Sequence, residues 1–337
     1  MLYTKAILIF YGSGVFGMRH IFIVNPVAGK GKHVTALIET IHTVCKEKGA
    51  DYEIYITKAV GDAAEFVKST CQAGGEARFY ACGGDGTLSE VVAGAYGYSN
   101  AQVAVVPCGT GNDFVRSFAG VPFHDIAAQL AGDVHHLDLI KTNHGICTNL
   151  CSIGFDSAVC MNMVRYKKMP LVTGSMAYIM AIIQCFFFQR LGNTLTLTID
   201  GETLPAEDFA IGVCGNGMCY GGGFYAAPRA SLEDGLLEIV MVRKINRARF
   251  LKLIGTYKNG KHLDDKNFSD VVFYTRARSL HISSAQDAVV NYDGECEVTR
   301  EMSAEVLPGA IAFSLPLAHV KGAQPKLAGS ASAKGTC

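Results

Sequence analysis

Gly83-Gly84-Asp85-Gly86-Thr87 stands between an apolar run, Ala77-Arg78-Phe79-Tyr80-Ala81-Cys82, and a helix-like segment from Leu88 to Tyr96. A strand that feeds a glycine turn opening a helix is a shape for holding phosphate. Glycine lets the backbone approach closely, and N–H groups at a helix start face an anion. The aspartate narrows the reading. A carboxylate repels phosphate unless a metal lies between them, so Asp85 points to a metal-nucleotide and to phosphoryl transfer.

The same pattern recurs around this loop. Ile21–Val24, Tyr52–Thr57, Arg78–Cys82 and Val103–Val106 read as strands, and Val34–Lys48, Asp62–Gln72 and Leu88–Tyr96 as helices. Asp62 is the expected N-cap of the second helix; Gly49 and Gly97 are the expected stops. Short strands alternating with helices imply a doubly wound, mostly parallel sheet covered on both faces. Asn25-Pro26-Val27-Ala28-Gly29-Lys30-Gly31-Lys32 ends the first strand and lacks the ending of a Walker A loop. Gly109-Thr110-Gly111-Asn112-Asp113-Phe114 ends the fourth, with Asn112 or Asp113 as a helix cap. Three glycine loops at the same ends of strands one, three and four predict one ligand crevice.

Beyond residue 135 the period shortens. Leu137–Lys141, Ile146–Ile153, Thr194–Ile199, Phe209–Cys214, Leu236–Val242, Val271–Arg276, Ser279–Ser283 and Ala288–Tyr292 read as strands of an antiparallel, β-rich region. Helices are expected near 175–190 and 246–258, and the domain boundary near 125–140. The end from Lys321 is rich in Gly, Ala, Ser and Lys and reads as disordered. Gly12-Ser13-Gly14-Val15-Phe16-Gly17 matches a dinucleotide fingerprint, but a strand pattern follows where a helix is required. Met18 is therefore read as the natural start, and residues 1–17 as a disordered extension.

The 337 residues carry no formal net charge, which argues against a nucleic-acid binder. Twelve cysteines without a CxxC pair read as reduced, buried thiols of a cytosolic protein. His144, Cys147 and Cys151 lie on a strand pattern with no fourth ligand nearby, so zinc is not expected. No segment reaches the ~18 apolar residues of a membrane span. Met176 to Phe188 comes nearest and reads as a core helix, with a lipid-facing helix as the alternative. Gly221-Gly222-Gly223 and the stretch from Ala227 to Gly235 read as polar turns. Asp293-Gly294-Glu295 could supply a general base or make a hairpin turn. Asp200-Gly201-Glu202 has the same form, and the residues alone favour a turn for both.

Taken in order, Asn25-Pro26 to Gly29, Gly83 to Thr87, Gly109 to Phe114 and Asp293-Gly294-Glu295 resemble the soluble bacterial diacylglycerol kinase family. That family also includes the catalytic domains of sphingosine and ceramide kinases. The resemblance runs from Met18 to Pro316. It implies an NAD-kinase-like α/β nucleotide-binding domain over 18–135 and a β-rich antiparallel sandwich for the lipid over 136–316. Residues 1–17 and 317–337 fall outside these domains.

The resemblance further implies ATP and Mg²⁺, with the nucleotide between the two domains. Its contacts would be Asn25, Pro26, Val27, Ala28, Gly29, Thr57, Gly83, Gly84, Gly86, Thr87, Leu88, Ser89, Glu90 and Thr110. Ser89-Glu90 departs from the usual Asn-Glu. Asp85 would organise Mg²⁺, and Lys30 would lie at the phosphate- or membrane-facing edge. Asp293 would take the proton of the lipid hydroxyl with Glu295 as its partner, an order the sequence does not separate. A structural Mg²⁺ would sit at Ser231, Asp234 and Leu236. The implied reaction is phosphorylation of diacylglycerol or a related lipid alcohol. A sphingoid-base or ceramide kinase, an NAD kinase and a non-catalytic sensor or transporter accessory protein are the rivals. Residence in the cytoplasm with transient contact at the inner membrane face is expected, partly through Arg165-Tyr166-Lys167-Lys168 beside Tyr178–Phe188. No nucleic-acid partner is expected, and a homodimer is implied.

Overall fold

The computed structural model describes residues 17–31, 34–167, 169, 172, 174–189 and 191–317. The readings for the fingerprint before Gly17, for Lys32, for Lys168 and for the tail after Leu317 lie outside the described residues. The chain divides into two compact units. One holds the described residues before Asp138 and those from Gly309 onward; the other is Asp138–Pro308.

In the first unit, β1 (Arg19–Val24), β2 (Tyr52–Ile56), β3 (Ala77–Gly83) and β4 (Ala101–Pro107) form a parallel sheet in the order β2-β1-β3-β4. Every residue of β3 is buried, as suits a parallel strand covered on both faces. Phe313 extends the sheet, parallel to Val103 of β4. Helices α1 (Val34–Lys48), α2 (Asp62–Ala73) and α3 (Asp85–Ala95) connect the strands, and the short α4 (Ile126–Leu130) follows β4. The sheet folds in the direction of β2 on one side of β1 and β3 on the other. Its switch point therefore lies between β1 and β3, where ligands of such sheets bind. The register sets Val24 beside Cys82 and Gly83 beside Pro107, so the loops after β1, β3 and β4 leave together.

Two capping expectations are corrected. The N-cap of α2 is Gly61, not Asp62, and Gly61 is left-handed. The Asp62 carboxylate instead accepts from Lys58 N at 2.7 Å and the Tyr55 hydroxyl at 2.9 Å. The start of α2 is served from α3, where Glu90 Oε2 accepts the Ala63 N–H at 3.2 Å. After β4 only a 3-10 turn, Phe114–Ser117, forms, and Asp113 makes no side-chain cap to it.

The second unit is β-rich and antiparallel. After β5 (Asp133–Thr142) come β6 (Ile146–Cys147), β7 (Leu150–Gly154), β8 (Asn193–Ile199), β9 (Glu202–Thr203), β10 (Glu207–Gly215), β11 (Leu237–Arg243), β12 (Val272–Ala277), β13 (Ser279–Tyr292) and β14 (Glu295–Leu315). β10 pairs with β7, β8 and β11, and β13 pairs with β7, β8 and β14. The interior is apolar, including Ile153, Leu197, Ile239, Met241, Ile282 and Met302. The strand expected over Ile146–Ile153 is two strands, broken at Thr148-Asn149. The strands expected at Ser279–Ser283 and Ala288–Tyr292 are one, with a register shift between them.

The two longest elements that escaped the sequence reading are β14 and α5 (Phe155–Lys167). β14 carries many exposed charges and a Pro308-Gly309 pair, which mask its alternation. The helix α5 turns Ser157 and Asn162 inward, so its buried face is not an apolar stripe. α6 (Gly174–Phe188) packs Ala181 and Cys185 on Ala158 and Val159 of α5, and α7 (Arg247–Lys258) adds Phe250 and Leu253 to a second core with Leu150 and Val213. No helix among the described residues is long and apolar enough to cross a membrane.

Candidate active site

In the first unit the three glycine loops are locked onto one another. The Gly83 carbonyl accepts from Cys108 N at 2.7 Å and Gly109 N at 3.2 Å, and Asn25 Nδ2 donates to Thr87 Oγ1 at 3.0 Å. A Cβ on Gly109 would come within 2.5 Å of Gly84 Cα, and one on Gly29 within 2.6 Å of the Cys108 carbonyl oxygen. Side chains would push the loops apart. Gly29 also needs a positive φ of 57°, which L residues adopt rarely. Asn112 braces the third loop: its Oδ1 accepts from Gly109 N and its Nδ2 donates to Gly109 O, each at 3.0 Å.

Asp85 opens α3 and reaches the third loop. Its Oδ1 accepts the Phe114 N–H at 3.1 Å, so this carboxylate supplies the bond that Asp113 does not. Burial raises the Asp85 carboxyl above the ordinary carboxylate range, the Phe114 N–H opposes that rise, and nearby Asp113 adds to it. A nearby cation would favour the charged form of such a group.

The other positions implied for the nucleotide differ in character. Leu88 is buried in the core. Ser89 is half-buried, and Glu90 is bound to the start of α2. Thr57 donates its N–H to Val24 O at 3.0 Å, at the end of β1 next to Asn25. Pro26 and Val27 are exposed, Ala28 and Gly29 half-buried, and Thr110 exposed in the third loop. Lys30 is exposed and holds a positive φ of 64°.

In the second unit Asp293 and Gly294 form the tip of the β13–β14 hairpin, where Tyr292 faces Glu295. Both tip residues have positive φ, as a type I′ turn requires. The Asp200-Gly201 tip has the same signs. Both are turns, and in both the aspartate is an anchor. Asp200 Oδ1 accepts from Arg278 N and Ser279 N at 3.0 and 2.8 Å. Asp293 gathers three backbone donors: Thr148 N at 2.5 Å to Oδ2, and Asn149 N at 3.1 Å and Leu150 N at 2.9 Å to Oδ1. The first two donors are the residues that interrupt the strand expected over Ile146–Ile153, and Leu150 begins β7.

Glu295 contrasts with Asp293. Its side chain is 72% exposed, and its carboxylate lies 3.5 Å from His144 Nε2. His144 stacks on Tyr292 with ring centroids 5.2 Å apart. The sequence reading overlooked Asn291, which is buried and accepts the Gly294 N–H at 2.8 Å. It also overlooked Asn216, fully buried, whose Nδ2 donates to Asp138 O and Thr148 O. An asparagine two positions before an Asp-Gly pair is a signal that could have been used for Asn291; Asn216 carries none.

The structure keeps Ser231, Asp234 and Leu236 in one turn, where Asp234 Oδ1 accepts Leu236 N at 3.1 Å. The donors are oxygens, the type that suits Mg²⁺. Asp234 Oδ2 is also held by the Arg276 guanidinium, so a cation there must displace that ion pair.

Comparison with known proteins adds kinship to this geometry. Residues 19–142 match the diacylglycerol kinase catalytic domain, and residues 149–314 match the YegS C-terminal NAD kinase beta sandwich-like domain. A Pseudomonas aeruginosa protein named "Probable lipid kinase YegS-like" is 33% identical over 276 residues, covering 80% of this chain and 87% of its own. A Mycobacterium tuberculosis protein named "Diacylglycerol kinase" is 30% identical over 308 residues, covering 87% and 94%. A solved structure of a diacylglycerol kinase from Bacillus anthracis strain Sterne is similar in fold, with a TM-score of 0.65 at 23% identity over 88% of this chain and 96% of that one.

Proposed function

This chain belongs to the diacylglycerol kinase-like family of lipid kinases, and from that premise we propose that it transfers the γ-phosphoryl group of Mg²⁺-bound ATP to the hydroxyl of diacylglycerol. The observation that carries the reading is the interlock of the loops after β1, β3 and β4, with Asp85 tying the second to the third. Such loops cradle phosphates through backbone N–H groups. The metal comes with the nucleotide and neutralises phosphate charge. Asp85 would orient its water shell, which accounts for a half-buried carboxylate in a phosphate loop.

The second unit would supply the proton acceptor. An alcohol is a weak acid, so a carboxylate that takes its proton as the new bond forms contributes about 10²–10⁴ in rate. Of the two candidates, Asp293 has both oxygens engaged by backbone N–H groups. Glu295 has no such bonds among the described residues and is exposed. We therefore assign proton acceptance to Glu295 and the holding of the turn to Asp293. The exposed face of α6 would touch the membrane from which the lipid is drawn.

The test is phosphate transfer from labelled ATP to diacylglycerol, monoacylglycerol, ceramide and sphingosine in mixed micelles, with NAD as a soluble control. Labelling of diacylglycerol above the others, lost in Glu295→Gln, supports the reading. Preferential labelling of ceramide or sphingosine moves the substrate to a sphingoid lipid. Bound ATP with no labelled product overturns the reading. The structural Mg²⁺ is tested apart from activity. Millimolar MgCl₂ should raise the melting temperature of the wild type and leave Asp234→Asn unchanged; equal shifts would remove Ser231, Asp234 and Leu236 as its site.

A further inference from the structure

Eleven free cysteines are described, and eight of them are buried. The three half-buried thiols are Cys108, Cys160 and Cys296, and the last two meet at one seam. Cys160 lies on α5, and Cys296 is the second residue of β14, directly after Glu295. Their contacts cross the same seam in both directions. Cys160 Sγ lies 3.7 Å from the Gly294 carbonyl of the hairpin, and Cys296 Sγ lies 3.8 Å from the Ser157 carbonyl, one helical turn before Cys160. Each thiol therefore points at the backbone beside the other, across one seam between α5 and the hairpin. Cys296 Sγ also sits 3.9 Å from Asn291 Oδ1, the atom that holds the Gly294 N–H.

We propose that Cys160 and Cys296 are a reversible disulfide site, formed by a hydroperoxide, that clamps the Asp293-Gly294-Glu295 turn to α5. Cys160 is first oxidised by the peroxide to a sulfenic acid, releasing the corresponding alcohol or water. The Cys296 sulfur then attacks the Cys160 sulfur, the S–S bond forms, and the sulfenic oxygen leaves as water with the Cys296 proton. A dithiol reductant restores both thiols by exchange. The Cys160 thiol and burial both hold the Cys296 thiol above its ordinary range. The thiolate is the attacking form, so closure should quicken as pH rises.

Bond formation has a geometric consequence. Joining the two thiols fixes their sulfurs at an S–S distance of about 2.05 Å. The residue after Glu295 is thereby drawn toward α5. Misplacement of a reacting group by about 1 Å costs on the order of 10²-fold in rate. That consequence rests on the kinase reading, whereas the disulfide itself does not.

The experiment treats the full-length chain with hydrogen peroxide at pH 7 and pH 9. Non-reducing peptide mapping and phosphate transfer are then followed before and after dithiothreitol. The expected result is one new peptide joining Cys160 to Cys296, formed faster at pH 9 and reversed by dithiothreitol. It should be absent from Cys160→Ser and Cys296→Ser and present in Cys108→Ser. Turnover should fall tenfold or more in step with the linked peptide and return on reduction, while Cys160→Ser resists the loss. Free or separately over-oxidised Cys160 and Cys296 would overturn the site. A linked peptide with unchanged turnover would overturn the clamp. A linked peptide in a protein that phosphorylates no lipid in either state would leave the site standing and count against the kinase reading.

Discussion

At the scale of single residues, two aspartates carry both structure and the proposed chemistry, and paired substitutions separate these roles. Asp85→Ala removes the acceptor of the Phe114 N–H. A buried donor left without a partner costs about 1–3 kcal/mol, so the melting temperature and turnover should both fall. Asp85→Asn keeps an acceptor oxygen and should retain most stability while losing turnover. Normal turnover in Asp85→Asn would remove the charge from the chemistry. Asp293→Asn has one acceptor oxygen for three backbone donors and should lose stability as well as activity. Glu295→Gln lies on an exposed side chain and should keep its melting temperature while turnover drops by about 10²–10⁴. If Glu295→Gln turns over normally and a thermally stable Asp293 variant does not, proton acceptance returns to Asp293.

At the scale of elements, α6 is the part whose sequence reading divided most sharply between core and membrane. It is both. Ala177, Ala181 and Cys185 are buried on one face, and Met176, Ile179, Ile183 and Phe187 are 49–64% exposed on the other. The exposed spacing is that of one helical stripe. At its end Phe188 is 83% exposed beside a cleft shared with Leu191, Lys244, Ile245 and Arg247. Apolar side chains next to cations suit a bilayer with anionic headgroups. The double change Ile183→Asp with Phe187→Asp should abolish sedimentation with phosphatidylglycerol vesicles and leave the circular dichroism spectrum unchanged. Undiminished sedimentation would refute a membrane role for this face. Of the basic run expected to help, Arg165 is exposed on α5, and Lys168 lies outside the described residues.

At the scale of the whole molecule, each unit holds a histidine in its neutral form, His20 half-buried and His262 buried. Burial lowers His20 to about 4, helped by the Arg78 charge, and burial is the main cause that lowers His262 to about 4. Unfolded, both titrate near 6.5, so between these values the unfolded chain binds the protons and the folded chain does not. Stability is then full above about pH 6.5, falls as pH drops toward 4, and loses nothing more to these groups below that. His262 is 1% exposed, and its share is on the order of 3 kcal/mol. Urea midpoints at pH 7.5, 5.5 and 4 should decline, with a shallower decline in His262→Asn. A flat profile for the wild type would contradict the buried neutral state.

The α/β class of the first unit, its four strands and the glycine loops at their ends were written locally. Strand periodicity, helix periodicity and turn chemistry each span only a few neighbouring residues, so Ala77–Gly83 and Gly83–Thr87 could be read without any partner in view. The resemblance to lipid kinases rested on these same local strings together with Asp293-Gly294-Glu295. Tertiary structure decided which oxygen meets which donor. It placed Glu90 at the start of α2, Asp85 on Phe114, Asp293 on Thr148 to Leu150, and Cys160 against Cys296. These partners stand 27, 29, about 145 and 136 residues apart in the chain. Hydrogen bonds and thiol contacts depend on separations of a few ångströms that no local pattern encodes. An aspartate at a hairpin tip reads the same at Asp200 and at Asp293, and only the fold gives Asp293 three backbone donors from Thr148 to Leu150 and sets its turn beside the Cys160 and Cys296 thiols.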